Sequence, residues 1–332
     1  MVEINLNELI TDPYVLAEGY IIRDGFIFTE GKKDSNVFNR IVIRNPEFAR
    51  VSEGRQGYSS RTLEEHIAFI NKYQIEKACI ISDNLSFIIR CPSIQDIDVF
   101  PSYDAKENFD YSVLYQMPNL KILYCKTNYG DCGQYKTKID YSKINGLEDL
   151  SMDDEGHLGF EKISTLKNIW ISGNKKIRSL IDVSCSAELQ EMTLFGCGIQ
   201  SLEGIEKHKK MKSLTLWHNY SLKDISALGL VSNTLTELVI DACSRVKDFT
   251  VLNSLENLEY LSLDGNNILP NLEFLKKMRK LKVFTFTMNI EDGNLSNCMA
   301  IPYVSCRNRK HYNLKDKELP KNILKSESEI NN

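Results

Sequence analysis

The chain has 332 residues, of which 42% are hydrophobic and 26% are charged, as in an ordinary folded protein. Its net charge of −4 offers no basic surplus, which excludes general affinity for nucleic acid. The longest apolar stretches, such as residues 78–81, are far shorter than the ~20 residues of a membrane-spanning helix, so no membrane partner is predicted.

The N-terminal residues and the cysteines bear on the cellular compartment. Residues 1–7 contain neither the basic region nor the continuous apolar region of a secretory signal, so we expect a cytoplasmic protein. The nine cysteines are odd in number and include no Cys-x-x-Cys pair. This pattern argues against a disulfide framework and against a cysteine metal site.

The first 74 residues predict a small α+β segment. Residues 20–28 indicate two short strands about an Asp-Gly turn, and residues 38–44 indicate a third strand. A helix is expected from about residue 61 to residue 73, with Ser60 as its N-cap and with Leu63, Ile67 and Ile70 on its inner face. We interpret residues 1–74 as a cap over the open core of the segment that follows.

From residue 75 the sequence repeats itself. The pattern Leu-x-x-Leu-x-Leu-x-x-Asn occurs ten times in varying quality, at spacings of 19–27 residues. The first positions of the ten matches are Ile75, Ile94, Leu120, Leu147, Leu166, Leu189, Met211, Leu235, Leu258 and Leu281.

Three positions of the repeat predict its structure. The fourth and sixth positions are apolar in every match, which indicates a short strand with one buried face. An eleventh, degenerate repeat would start at Ile301, with Val304 and Cys306 as its inward pair. At the ninth position an Asn side chain could bond backbone groups of the loop that leaves the strand. The predicted ninth-position residues are Asn128, Asn174, Cys197, Asn219, Cys243, Asn266 and Asn289.

Such a pattern is typical of an α/β fold, the leucine-rich-repeat solenoid, in which stacked repeats share one continuous core. We expect a horseshoe with a parallel concave sheet of about ten to eleven strands, an N-terminal α+β cap and a short C-terminal cap. The predicted organisation is a cap over residues 1–74 and repeats over residues 75–300. Residues 301–332 would hold the degenerate last repeat, the C-terminal cap and a polar tail.

The return segments carry a family resemblance. The runs Leu-Lys-Asp-Ile-Ser-Ala-Leu-Gly-Leu from Leu222 and Val-Lys-Asp-Phe-Thr-Val-Leu from Val246 resemble the Asp-Ile-x-x-Leu-x-x-Leu segment of bacterial internalin-type repeat proteins. The resemblance covers roughly residues 75–311 and implies a bacterial protein with that fold. Internalins are secreted, and no secretion signal is found at residues 1–7, so we do not carry over host adhesion.

No catalytic motif stands out in the sequence. The five histidines lie outside zinc-binding patterns, and there is no Walker loop, dinucleotide-binding glycine motif or nucleophile elbow. We therefore predict no enzyme activity, no cofactor and no metal. Cys298 and Cys306 are interpreted as packing residues.

The predicted binding residues come from repeat positions three, five, seven and eight, which would line the concave face. Nine acidic residues occupy these positions, Asp96 and Asp154 among them, against only two lysines, Lys77 and Lys126. The aromatic candidates are Phe100, Tyr124, Trp170, Phe195, Trp217 and Tyr260. The acidic candidates are Asp98, Asp149, Asp153, Glu191, Glu237, Asp241 and Asp264.

Aromatic anchors on an acidic surface favour a protein-binding scaffold with a basic partner. A sharper form of the hypothesis is an immunity or inhibitor protein that masks a basic toxin or nuclease. Two alternatives stay open. One is a carbohydrate or peptide-ligand module, in which Trp170 and Trp217 would stack on sugar rings; the other is an enzyme with an unrecognised site in the caps. The sequence does not determine the oligomeric state.

Overall fold

The computed structural model describes residues 20–29, 40–44, 61–101, 109–125, 138–152, 158–183 and 186–322. The chain divides into two compact units, an N-terminal unit over residues 1–160 and a C-terminal unit over residues 161–332. The predictions for Lys126, Asn128, Asp153 and Asp154 fall outside the described residues.

The N-terminal unit holds a sheet and one α-helix. Strands β1, β2 and β3 pair antiparallel in that order, as the predicted Asp-Gly turn requires, and from β3 onward each strand pairs parallel with the next. The elements are β1 (Tyr20–Arg23), β2 (Phe26–Thr29), β3 (Ile41–Arg44), α1 (Leu63–Tyr73), β4 (Lys77–Ser82), β5 (Asp96–Pro101), β6 (Ile122–Cys125) and β7 (Asp149–Met152). Short 3₁₀ turns follow at Ser86–Arg90, Ser112–Gln116, Tyr141–Lys143 and Phe160–Lys162.

Helix α1 confirms the predicted element but corrects two of its residues. Its N-cap is Thr62 and not Ser60, because the Thr62 hydroxyl accepts from the Glu65 amide at 3.3 Å while the Glu65 carboxylate accepts from the Thr62 amide at 2.7 Å. Ile67 and Ile70 are buried as expected, whereas Leu63 in the first turn is exposed. The buried face instead includes Phe69, whose ring lies 4.2 Å from that of Phe26 on β2.

In the C-terminal unit the neighbouring strands all pair parallel. The order of its strands is β8, β9, β10, β11, β12, β14 and β16, and β13 pairs separately with β15. The strands are β8 (Asn168–Ser172), β9 (Glu191–Phe195), β10 (Ser213–Trp217), β11 (Glu237–Asp241), β12 (Tyr260–Asp264), β13 (Ile268–Leu269), β14 (Val283–Phe286), β15 (Asn289–Ile290) and β16 (Tyr303–Cys306). The 3₁₀ turns are Leu180–Asp182, Ile205–Lys207, Ser226–Val231, Thr250–Ser254, Glu273–Lys277, Ser296–Ala300 and Asp316–Glu318.

The strand register confirms the repeat alignment. Leu214 on β10 lies beside Met192 on β9 and Leu238 on β11, so fourth positions stack on fourth positions, and their side chains are fully buried. The degenerate repeat also forms a strand, with Val304 beside Phe284. Each inward column therefore continues from repeat to repeat, as a solenoid core requires.

The ninth position is confirmed in part. Buried Asn219 accepts the Cys197 amide at 2.9 Å and donates to the Leu194 carbonyl at 2.8 Å, so it satisfies two backbone groups of the preceding repeat. Asn266 was the wrong choice, because it is exposed and its neighbour Asn267 is buried and donates to the Cys243 carbonyl. The loop after β12 is one residue longer than the pattern assumes.

Asn289 differs from its prediction in the same way. It is only half-buried and begins β15, while Met288 occupies the core beside it. The last repeats thus keep the inward strand residues and change the loop that follows them.

Among the described helices, none has the length and apolar character needed to cross a membrane.

Candidate functional site

We call the sheet face opposite the buried fourth and sixth positions the open face; it carries the third, fifth and seventh positions of each repeat. Because side chains alternate along a strand, this assignment follows directly from which residues are buried. In the C-terminal unit Trp170, Phe195, Trp217 and Tyr260 lie on it, together with Glu191, Glu237, Asp241 and Asp264. In the N-terminal unit it carries Phe100, Tyr124, Asp98 and Asp149.

In the N-terminal unit the open face is largely packed. Ile27, Val42 and Cys79, which lie side by side on β2, β3 and β4, are buried, and Phe100 packs against this group. The Phe100 ring also lies 5.8 Å from that of Tyr124 at a tilt of 57°. Burial raises the pKa of the Cys79 thiol to about 12, so the thiol stays protonated at neutral pH.

The acidic residues of this region are paired, which corrects the charge expected from the repeats alone. Arg40, immediately before β3, lies 2.6 Å from a carboxylate oxygen of Asp96 and 3.1 Å from one of Asp98. Asp96 is buried, and burial raises the pKa of Asp98 to about 6 against the opposing effect of Arg40. These two carboxylates therefore contribute little negative potential to a visiting partner.

In the C-terminal unit the open face exposes a group of rings, which we call the aromatic cluster: Phe195, Trp217, His218 and Tyr220. The exposed fractions of Phe195, Trp217 and Tyr220 are 37%, 40% and 55%. The Phe195 ring stacks on His218 at 5.3 Å and meets Trp217 edge-on at 6.5 Å. Rings that support one another in this way form a rigid apolar surface in contact with water.

His218 occupies the centre of the cluster. Its Nδ1 lies 3.2 Å from the Tyr220 hydroxyl, and its Nε2 lies 3.7 Å from a carboxylate oxygen of Asp241. The backbone of His218 adopts φ = 55°, the left-handed region, where the preceding repeat has Gly196 at φ = 60°. A residue with a Cβ is disfavoured in this region by ~1 kcal/mol. His218 therefore occupies a backbone conformation that would suit glycine better.

Carboxylates lie on the same open face as the cluster. Glu191 and Glu237 are exposed, and both are register neighbours of Ser213, one on each side, which puts them about 9–10 Å apart across two strand spacings. Asp241 lies beside Trp217 and Asp264 beside Asp241. The third, fifth and seventh positions of β8–β12 include no lysine or arginine. Lys175 Nζ, in the loop after β8, donates to the Gly196 carbonyl.

The remaining predicted site residues lie at different depths. Trp170, Tyr260 and Asp149 are half-buried on the open face, and Asp153 lies outside the described residues.

Sequence reasoning missed His218 and Tyr220 as members of the aromatic cluster. Their signal was present, because His218 follows Trp217 directly and Tyr220 lies three residues after it, in the turn whose side chains can reach the rings.

The described residues offer no arrangement suited to metal chemistry: no three His, Cys, Asp or Glu side chains are grouped to hold an ion. Burial raises the pKa of Cys298 to about 12 and that of Cys306 to about 11. Both thiols are therefore weak nucleophiles at neutral pH, consistent with their interpretation as packing residues.

Parallel strands at repeat spacing, with inward side chains that stack from repeat to repeat, define a leucine-rich-repeat solenoid. Among solved structures, an internalin (InlF) from Listeria monocytogenes matches 76% of this chain and 73% of its own at 14% identity, with a TM-score of 0.51.

The functional domain of InlJ from the same organism matches 73% of this chain and 50% of its own at 17% identity, with a TM-score of 0.49. TLR13 in complex with ssRNA13 matches 75% and 42% at 16% identity, with a TM-score of 0.49. No protein-family model matches the chain, and no curated protein matches its sequence.

Proposed function

We propose that the chain is a protein-binding scaffold whose site is the open face of β8–β12, with the aromatic cluster as its anchor. The observation that carries this proposal is the joint exposure of Phe195, Trp217 and Tyr220 in one supported group. Clustered exposed aromatics are uncommon on surfaces without a binding role, and Trp and Tyr dominate the residues whose truncation weakens protein complexes. Binding, and not catalysis, is the activity we infer.

The partner we propose is basic. An arginine or lysine of the partner would reach between Glu191 and Glu237, which lie on the strands at either side of Ser213. A guanidinium could also lie against the faces of Trp217 and Phe195 beside Asp241. The narrower proposal is that the chain masks a basic toxin or nuclease, as an immunity or inhibitor protein would.

Affinity capture from lysate of the source cells tests this proposal. Wild type is compared with Phe195→Ala/Trp217→Ala, and with Leu230→Ala, which removes a 66%-exposed apolar side chain from a 3₁₀ turn away from the open face. We expect a basic protein to be retained by wild type and Leu230→Ala. The double aromatic variant should bind it at least about 30-fold more weakly, the equivalent of a ~2 kcal/mol anchor.

A second variant tests the charge. Glu191→Gln/Glu237→Gln should slow association with the captured protein and reduce its dependence on salt. Equal capture by wild type and both open-face variants would contradict the proposed site. If wild type instead captures no protein but binds members of a glycan panel, and Phe195→Ala/Trp217→Ala does not, the carbohydrate-binding alternative would be supported.

A further inference from the structure

A pocket of about 520 Å³ lies at the C-terminal end of the chain and differs in charge from the open face. Its wall includes four basic side chains and no acidic one. The basic residues are Arg307, Arg309, Lys310 and His311. They belong to the segment that follows β16, in which residues 307–315 contain no Asp or Glu.

The segment that presents these basic residues is held in place. Arg309 Nη2 donates to the Thr287 carbonyl at 3.0 Å, and His311 Nε2 lies 2.9 Å from the Ile290 carbonyl. Lys315 Nζ donates to the carbonyls of Arg309 and Tyr312 at 2.8 and 3.0 Å. The segment is therefore fixed at several points before any ligand arrives.

A glycine makes the packing of this segment possible. Gly293 has φ = 65°, and a Cβ at this position would overlap the His311 carbonyl. The Asn313 amide donates to the Gly293 carbonyl at 3.0 Å, so the two backbones touch directly. The wall of the pocket is thus preorganised by the body of the last repeats.

Two of the cations are available to a ligand. Arg307 and Lys310 are exposed, and neither lies within 4.0 Å of a carboxylate of any described residue. Arg309 is half-buried, and its Nε has no hydrogen-bond acceptor among the described residues. Asn266 and Asn289 add amide groups to the wall of the pocket.

We propose that this pocket binds a small phosphate-bearing anion. A phosphate group carries about −1.5 to −2 charges and three acceptor oxygens, which suits two arginines with planar donor forks and a lysine as a mobile point charge. Exposed Ile268 forms an apolar part of the wall and would pack against the non-phosphate portion of the ligand. The site is independent of the proposed partner surface, which has the opposite charge.

Calorimetric titration with inorganic pyrophosphate at constant ionic strength tests the proposal. Wild type should show saturable binding, and Arg307→Gln/Lys310→Gln should bind at least tenfold more weakly. The matched control Lys207→Gln/Lys209→Gln removes two exposed cations elsewhere in the same unit and should keep the wild-type affinity. Neither pair replaces a buried side chain, and equal thermal midpoints confirm that both variants are folded.

Citrate serves as a carboxylate probe and should bind at least fivefold more weakly than pyrophosphate. Absence of saturation with wild type, equal affinity of the Arg307/Lys310 variant, or equal loss in the lysine control would overturn the proposal, and equal citrate affinity would overturn the assignment to phosphate. Phe195→Ala/Trp217→Ala should retain pyrophosphate binding, so failure of the proposed partner surface and failure of this pocket are distinguishable.

Discussion

The open faces of the two units are built on the same repeat but end as different surfaces. In the N-terminal unit, Ile27, Val42 and Cys79 are buried on that face, and Arg40 neutralises Asp96 and Asp98. In the C-terminal unit, the open face carries exposed rings and exposed glutamates. The difference comes from β1–β3, which lie outside the repeat, extend its sheet and bring one guanidinium to the first repeats. A repeat pattern therefore defines which positions face outward, whereas their availability depends on what packs beside them.

The largest effect should follow from removing the guanidinium. Arg40→Ala leaves the buried Asp96 carboxylate without its partner, and we expect a loss of about 3–5 kcal/mol in unfolding free energy by urea titration. Glu237→Gln, an exposed open-face carboxylate of the C-terminal unit, should change it by less than about 0.5 kcal/mol. Similar losses in both variants would mean that the two faces do not differ as described.

The cores of the two units should respond alike, although their faces differ. Leu123 on β6 and Leu214 on β10 are both fully buried at the fourth position. Truncation of either to Ala should cost about 2–5 kcal/mol through loss of apolar burial and the cavity left behind. Urea midpoints for the two variants provide the measurement, and a near-neutral Leu123→Ala would show that the N-terminal unit is packed more loosely.

The pH dependence of stability should identify Asp98. Its folded pKa of about 6 exceeds the ordinary value of ~3.9, so the folded chain holds an extra proton between those values. Stability from this group therefore falls as pH rises from about 4 to about 6 and is constant above that window. Asp98→Asn should remove this component from urea midpoints measured at pH 4, 5, 6 and 7. Asp264→Asn is the control, and parallel curves for wild type and Asp98→Asn would contradict the assignment.

The aromatic cluster should contribute little to stability. Trp217→Ala removes a partly exposed ring and should lower the unfolding free energy by less than about 1 kcal/mol, while it weakens partner binding. His218→Gly relieves the left-handed backbone and should leave stability equal or slightly higher. A large loss in either variant, measured by the thermal midpoint, would mean that these rings belong to the core.

Sequence reasoning recovered the inward strand residues because their chemistry repeats with a fixed spacing. Leu214, Leu238 and Leu261 stack in the predicted register, and even the weak first matches at Ala78 and Ile97 do so. It misplaced Asn266, because a loop that is one residue longer shifts the ladder without changing the strand. It also missed Arg40, since pairing between residues 56 positions apart depends on how β3 joins the sheet and leaves no local pattern.

Each residue on the C-terminal open face is located by two numbers, its repeat and its position within the strand. Residues at the same position in successive repeats form a row across the sheet. Glu191, Ser213, Glu237 and Tyr260 occupy one row, at intervals of about 4.8 Å. Duplication or loss of a whole repeat would move part of each row by one column and leave the inward contacts chemically equivalent. The proposed recognition surface would therefore change with the number of repeats and with the outward residues, while the packing of the interior stays the same.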